Sequence, residues 1–243
     1  GEALEGAKKV DAIIFDKTGP LTKGELSVSD IVRLSNVEED EVLRIAAVAE
    51  RGSEHPIGKA VVKAAEQKKL TVPHLKSYET VSGRGIRTSY LNKKILVGNK
   101  EFVEENGIKV TNFEESIKNL EEAGRTVVLV AYGGKVIGLL AISDTIKEYS
   151  KEAVQELKKM GIEVWMITGD NERVAGSIAK QIGIENIMSK VMPEEKAKKV
   201  KELQDKGATV AAVGDGINDA PMLAQADLGI AIGSGTDVAL ETG

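Results

Sequence analysis

The chain is expected to adopt an α/β fold, a doubly wound parallel sheet into which an antiparallel α+β block is inserted. Three observations carry this expectation. Short apolar runs recur at residues 10–15, 162–167, 209–213 and 228–232, and runs of this kind read as parallel strands buried on both faces. The later runs alternate with helical patterns, as a doubly wound sheet requires. The middle of the chain instead holds two amphipathic helices followed by a series of short strands.

Taken in order, Val10-Asp11-Ala12-Ile13-Ile14-Phe15 reads as the first strand and stops abruptly at Asp16. Residues 38–51 and 56–69 read as helices, the second with Ile57, Ala60, Val61, Ala64 and Ala65 on one face. Strands are expected at 78–82, 86–91, 94–97, 127–132 and 135–142, with Gly133-Gly134 as a hairpin turn. In residues 150–160, Ala153, Val154, Leu157 and Met160 fall at helical spacing. In residues 194–206, Ala197, Val200 and Leu203 make the stripe, and Glu194/Lys198 and Glu195/Lys199 are i,i+4 pairs. The expected organisation is a parallel domain of residues 1–24 and 139–243, interrupted by an inserted domain of residues 25–138.

Composition narrows the function. At 243 residues with net charge −5, the chain has no basic field to hold nucleic acid or an anionic membrane. The longest unbroken apolar run, residues 127–132, is far below the ~18 residues of a membrane span. Gly1-Glu2-Ala3-Leu4-Glu5 lacks the basic and apolar regions of a signal peptide. Without cysteine, disulfides, thiolate metal sites and cysteine nucleophiles are excluded.

The chemistry-bearing residues sit where strands end. Asp16, in Asp16-Lys17-Thr18-Gly19, could attack phosphorus and become an aspartyl phosphate, or simply cap a turn. Thr168-Gly169-Asp170 follows a second strand and offers a hydroxyl and backbone N–H to phosphate oxygens before a helix. Asp215-Gly216-Ile217-Asn218-Asp219 follows a third and supplies hard oxygen ligands for Mg2+. Lys196 could neutralise a transferring phosphoryl group. Each alone is ordinary turn chemistry; together they converge on the carboxyl ends of one sheet.

This order of motifs resembles the haloacid-dehalogenase-like phosphorylation domain of P-type ATPases. The resemblance implies that Asp16 is the phosphorylated nucleophile and that Asp16, Asp215 and the Thr18 carbonyl hold Mg2+. It implies that Thr168, Gly169 and Lys196 contact the phosphoryl group, with Lys17, Asp170, Asn218 and Asp219 in the same site. Asp144 and Lys147, in Asp144-Thr145-Ile146-Lys147, resemble the hinge motif and would face the nucleotide. Related phosphatases carry a general acid–base Asp two residues after the nucleophile. Here that position is Thr18, which favours a long-lived phosphoenzyme and hence a pump.

In the inserted block, Ser53-Glu54-His55-Pro56 is an ordinary helix start. It also resembles the signature of heavy-metal-transporting P-type ATPases, in which the His orients adenine. With Glu50 and Glu54, the Gly83-Arg84-Gly85 turn and Gly98-Asn99, the resemblance implies an ATP site of Glu50, Glu54, His55, Gly83, Gly85, Gly98 and Asn99. Arg84 reads as a solvated turn charge. The implied cofactors are Mg2+ and ATP, and the implied cargo is a heavy-metal ion, copper first.

One departure stands out. The family pattern Asp-Lys-Thr-Gly-Thr-Leu-Thr here reads Asp16-Lys17-Thr18-Gly19-Pro20-Leu21-Thr22. Pro20 removes a hydroxyl and a backbone N–H, and biases Gly19 toward extended geometry. Phosphorylation is therefore expected to suffer while nucleotide binding survives. The competing readings are a soluble phosphatase of the same fold and a non-catalytic nucleotide-binding module. The resemblance further implies a chain monomeric by itself at the cytoplasmic face of a membrane. Its partners would be the membrane and actuator domains of the same pump, beyond Gly233-Ser234-Gly235-Thr236-Asp237.

Overall fold

The computed structural model describes residues 9–33, 36–75, 77–232 and 237–238. The expectations about residues 1–5 and 233–236 fall outside them. The chain divides into two compact units, Gly1–Glu25 with Asp144–Gly243, and Leu26–Ser143.

Strand β1 (Ala12–Asp16) alternates between two cores, Ala12 and Ile14 facing one and Ile13 the other. The chain then leaves through the loop Lys17–Leu21 to build the second unit. This comprises β2 (Ser27–Arg33), α1 (Glu39–Glu50), α2 (Pro56–Gln67), β3 (Glu79–Val81), β4 (Gly85–Tyr90), β5 (Lys93–Gly98), α3 (Lys100–Glu105), α4 (Glu114–Glu122), β6 (Thr126–Tyr132) and β7 (Lys135–Ser143). The strands form one antiparallel sheet in the order β2-β7-β6-β5-β4-β3.

Both faces of that sheet are covered. Val42 and Ile45 of α1 and Val61 of α2 pack with Val97, Val128, Val130 and Leu140. On the opposite face Phe102 and Val103 of α3 and Ile117 of α4 pack with Leu96, Leu129 and Leu139. This is why residues 127–132 form a continuous apolar run although their neighbours are antiparallel: Val127 to Ala131 are buried on both strand faces, and Tyr132 is half-buried. Gly133 and Gly134 take φ of 62° and 87°, the positive values that a tight two-residue hairpin needs.

The boundary between units departs from the expected 138/139. Strand β7 runs unbroken through both residues, pairing with β2 from Arg33↔Gly138 to Ser27↔Ser143. Residues 139–143 therefore belong to the second unit and Glu25 to the first.

The returning chain forms α5 (Ser150–Lys159), β8 (Glu163–Ile167), α6 (Glu172–Ile182), β9 (Asn186–Met188), α7 (Lys196–Gln204), β10 (Val210–Gly214), α8 (Ala220–Gln225), β11 (Leu228–Ile232) and β12 (Asp237–Val238). The sheet order is β12-β11-β10-β1-β8-β9, parallel except for β12. Side chains from α5 and α6 cover one face, and side chains from α7 and α8 the other. Strand β1 lies between β8 and β10, where the order of connection reverses and ligands bind beyond the strands' carboxyl ends.

Two side-chain expectations are corrected. In α5, Val154 is buried and Leu157 half-buried, whereas Ala153 and Met160 are exposed. Before α7 the Pro193–Glu195 turn redirects Glu195, which accepts the Met192 N–H at 3.0 Å, while Lys199 pairs with Glu202. Among the described residues, no helix is long and apolar enough to cross a membrane.

Candidate functional site

In the first unit the candidate site grows from the end of β1. Its register, Phe15↔Val213 and Asp16↔Ile167, brings the loops after β10 and β8 to either side of Asp16. Asp16 is only 8% exposed. Lys196 Nζ donates to Asp16 Oδ1 at 2.9 Å and to Asp219 Oδ1 at 2.7 Å. Burial raises the Asp16 carboxyl to about 6; Lys196 opposes that rise, and the charges of Asp219 and Asp215 add to it. Burial alone would lower Lys196, but Asp16 and Asp219 outweigh it and hold the ammonium above its ordinary value.

The loop after β10 is organised by its own carboxylates. Asp215 Oδ1 accepts the Ile217 and Asn218 N–H groups at 3.0 and 2.8 Å, and Asn218 Nδ2 donates to Asp215 Oδ2 at 2.6 Å. Burial pushes Asp215 up, but these hydrogen bonds prevail and the carboxyl is lowered. Asp219 Oδ2 accepts the Asp215 N–H at 3.0 Å. Gly214 permits this packing, since a Cβ there would lie 2.5 Å from Asp219 Cβ.

On the other side, Lys17 reaches the Asp170 carboxylate through an ion pair, both side chains nearly buried. Thr168 Oγ1 donates to Asp170 Oδ2 and accepts the Asp170 N–H, both at 3.1 Å. Gly169 is exposed beside them. Thr18 is half-buried, and Gly19 takes φ 99°, ψ −63°. The expected extended geometry at Gly19 is thus not adopted: a residue without Cβ reaches a conformation closed to other residues before proline. Pro20 and Leu21 are buried.

The structure also gathers a residue that the sequence reading did not single out. Thr22 is fully buried; its hydroxyl accepts the Gly19 N–H at 3.3 Å and lies against the Lys17 carbonyl and the Asp144 carboxylate. Asp144 also accepts the Gly24 N–H at 3.0 Å. The Lys147 N–H donates to the Leu21 carbonyl at 3.0 Å. The sign in the sequence was its match to the closing threonine of the Asp-Lys-Thr-Gly-Thr-Leu-Thr pattern.

In the second unit, the residues expected at an ATP site occupy two neighbourhoods. Glu50 is buried at the end of α1; burial raises its carboxyl and a hydrogen bond with Ser53 partly offsets this. Gly58 makes room for it, since a Cβ there would lie 2.4 Å from Glu50 Oε2. His55 caps α2, its Nδ1 accepting the Ile57 N–H at 3.2 Å, and desolvation lowers its pKa. Nδ1 accepting fixes the neutral ring with its proton on Nε2. Glu54 pairs with Lys59 at 2.8 Å on the surface. Tyr78 joins this neighbourhood, donating its hydroxyl to the Gly52 carbonyl at 2.8 Å.

The second neighbourhood is the turn between β3 and β4. Gly85 and Gly98 are paired, and a Cβ on either would meet backbone and the Phe102 ring below 3 Å. Asn99 caps α3 through the Phe102 N–H at 2.9 Å and its own N–H donates to the Arg84 carbonyl at 2.9 Å. Its side-chain amide donates to the Gly83 carbonyl at 3.4 Å. Arg84 is the exposed turn charge expected, and pairs with Glu105 at the surface.

Among the described residues, no group of three or more His, Asp or Glu side chains is arranged to hold a metal. Asp16 and Asp215 nevertheless suit Mg2+, which takes one or two carboxylates plus substrate phosphates rather than a protein cage. Asp215 lies close enough to Asp16 for its charge to raise the latter's pKa, a repulsion that a divalent cation relieves.

The fold and this cluster define a doubly wound α/β domain with an aspartate-centred site at its strand ends, and the haloacid dehalogenase-like hydrolase family matches residues 10–227. The chain belongs to that family. It is 51% identical over 243 residues to the probable copper-exporting P-type ATPase of Archaeoglobus fulgidus, covering 100% of this chain and 30% of that protein. It is 47% identical over 242 residues to the probable copper-exporting P-type ATPase V of Mycobacterium tuberculosis, 99% of this chain and 31% of the relative. The chain thus spans about a third of the length of these relatives. Among solved structures, the catalytic CPx-ATPase domain CopB-B matches with TM-score 0.71 and 30% identity, over 98% of this chain and 83% of that one. A zinc-transporting PIB-type ATPase in an E2·Pi state matches with TM-score 0.62 and 36% identity, over 91% of this chain and 36% of its own.

Proposed function

We propose that the chain is the ATP-binding and aspartyl-phosphorylation part of a heavy-metal-translocating P-type ATPase, with copper as cargo. The observation that carries this reading is Asp16 at the end of β1, joined by Lys196 to Asp219 and flanked by Asp215 and Thr168. The similarity to copper-exporting pumps across the whole chain supports it. Asp16 Oδ attacks the γ-phosphorus of ATP in line; the new O–P bond forms as the bond to the β-phosphate oxygen breaks, and the electron pair leaves with ADP. Lys196, Thr168 and the Gly169 N–H hold the phosphoryl oxygens. Asp16, Asp215 and the Thr18 carbonyl would hold Mg2+, which supplies charge neutralisation for the phosphoryl group. Lys17 and Asp170 brace each other on one side, and Asn218 and Asp219 fix Asp215 and Lys196 on the other.

In the second unit, Glu50, His55, Gly83, Gly85, Gly98 and Asn99 form the adenine site, with Glu54 at its rim; Asp144 and Lys147, of the first unit, face the nucleotide. The unused His55 Nε2–H donates to the base. Membrane and actuator domains of the same pump are the partners, and the chain works at the cytoplasmic face of that membrane.

The test is incubation with γ-labelled ATP and Mg2+, acid quench and hydroxylamine. Hydroxylamine-labile label that disappears in Asp16→Asn supports the reading; rapid release of phosphate from small phosphate esters favours a phosphatase instead. Pro20 supports a second reading, nucleotide binding without phosphorylation. Comparison with Pro20→Thr separates the two: the parent should match the variant in ATP affinity and fall below it in phosphoenzyme yield. Equal loss of both in the parent contradicts this.

A further inference from the structure

The segment that leaves the first unit and the segment that returns to it are joined directly. The Lys23 N–H donates to the Thr145 carbonyl at 2.8 Å, and the Leu21 carbonyl accepts both the Lys147 N–H at 3.0 Å and the Ser150 hydroxyl at 2.8 Å. Thr22 bridges antiparallel to Ile146 in the middle of this short ribbon. Its side chain points to the other side, into the loop that follows Asp16.

There the hydroxyl is fully committed. One lone pair accepts the Gly19 N–H, and its single proton lies between the Lys17 carbonyl at 3.1 Å and the Asp144 carboxylate. The charged acceptor makes this contact stronger than a neutral one. Lys17 and Gly19 flank Thr18, whose carbonyl is the backbone atom assigned to Mg2+. The loop has few other internal restraints: Gly19 sits at φ 99°, and Pro20 has no N–H to contribute.

We propose that Thr22 is a positioning residue for phosphoryl transfer, holding the Lys17–Gly19 backbone against Asp144 so that the Thr18 carbonyl and Asp16 keep their geometry. The proposal rests on the reading of Asp16 as nucleophile. The methyl group of Thr22 is not part of the role, so serine substitutes and valine does not.

The experiment compares the parent chain with Thr22→Val and Thr22→Ser. Phosphoenzyme formation from Mg2+-ATP is followed by acid quench, and amide hydrogen exchange at Gly19 is followed by NMR. Thr22→Val should slow formation at saturating ATP about 10- to 100-fold, the range expected for a small misplacement of reacting groups. The half-saturating ATP concentration should stay unchanged, and Gly19 exchange should accelerate at least about tenfold. Thr22→Ser should restore both to within about threefold of the parent. Parent-like phosphorylation in Thr22→Val overturns the proposal, as does a Thr22→Ser variant as impaired as valine at equal thermal stability. If the parent forms no phosphoenzyme, the Thr22 variants are compared on the Pro20→Thr background, and if that forms none either, the reading of the nucleophile has failed. The exchange measurement then decides alone on Thr22: unchanged Gly19 protection in valine overturns it, and protection lost in valine and kept in serine supports it.

Discussion

Lys196 resolves a conflict that burial creates at Asp16. A carboxyl at this depth prefers to be neutral, yet the proposed nucleophile must be ionised; the ammonium 2.9 Å away supplies the opposing charge, and Asp219 keeps that ammonium in place. Glu50 shows the same physics without a cation. Its folded-state pKa exceeds the ordinary 4.5 because burial disfavours the charged form. The resulting penalty is absent below that value, grows as pH rises through the window up to the folded pKa, and is constant above it. Glu50→Gln removes it, so the Tm of this variant relative to the parent should rise between about pH 4 and pH 8; a flat or falling difference contradicts this. The loops gathered around Asp16 were picked out because their residue types suit phosphate and cation chemistry, whereas the candidate residues of the second unit were picked out only by resemblance. Thr22 was not singled out, because the partner that ties the loop down, Asp144, lies 122 positions away and meets it only where the returning segment crosses.

At the level of elements, Gly85 and Gly98 let β4 and β5 meet beneath the Phe102 ring, and this close approach shapes the turn at Gly83. A Cβ at Gly98 would lie 2.4 Å from the Arg84 carbonyl oxygen and 2.7 Å from Phe102 Cδ1. Gly98→Ala should therefore destabilise by about 2 kcal/mol or more and weaken ATP binding. Gly107→Ala, with φ 79° but nothing within 4 Å, should cost only the backbone strain of about 1 kcal/mol and leave ATP affinity intact. Chemical denaturation and nucleotide titration read both; equal effects at the two glycines refute the packing argument. The same strands explain what sequence could and could not reveal. Strands β1, β8, β10 and β11 were readable as apolar runs, because a parallel sheet sheathed by helices needs apolar residues on both faces. Strand β2 was not, since Ser27, Ser29 and Asp30 are exposed at the sheet's edge. Strand β9 has only three residues, all half-buried, too short a window for periodicity.

At the level of the molecule, each unit has its own sheet and its own cores, so unfolding need not be all-or-none. The single tryptophan, Trp165 of β8, reports on the first unit alone. ATP at about 100 times its Kd, without Mg2+, should stabilise the second unit by roughly 2.7 kcal/mol. The far-UV circular dichroism transition should then split or shift while the tryptophan fluorescence transition holds its midpoint; a common shift means one cooperative unit. The paired crossing gives this partition a further meaning. The outgoing segment at Lys23 and the incoming one at Thr145 are a single hydrogen bond apart, so the chain leaves and re-enters the first unit at one place. To the first unit, everything from Leu26 to Ser143 is topologically one turn. Its own Ser27 and Ser143 likewise lie side by side, so either unit closes on itself when the other is cut away. Such a joint lets evolution exchange the inserted unit, or a designer replace it with a short loop, without re-threading the strand that ends at Asp16.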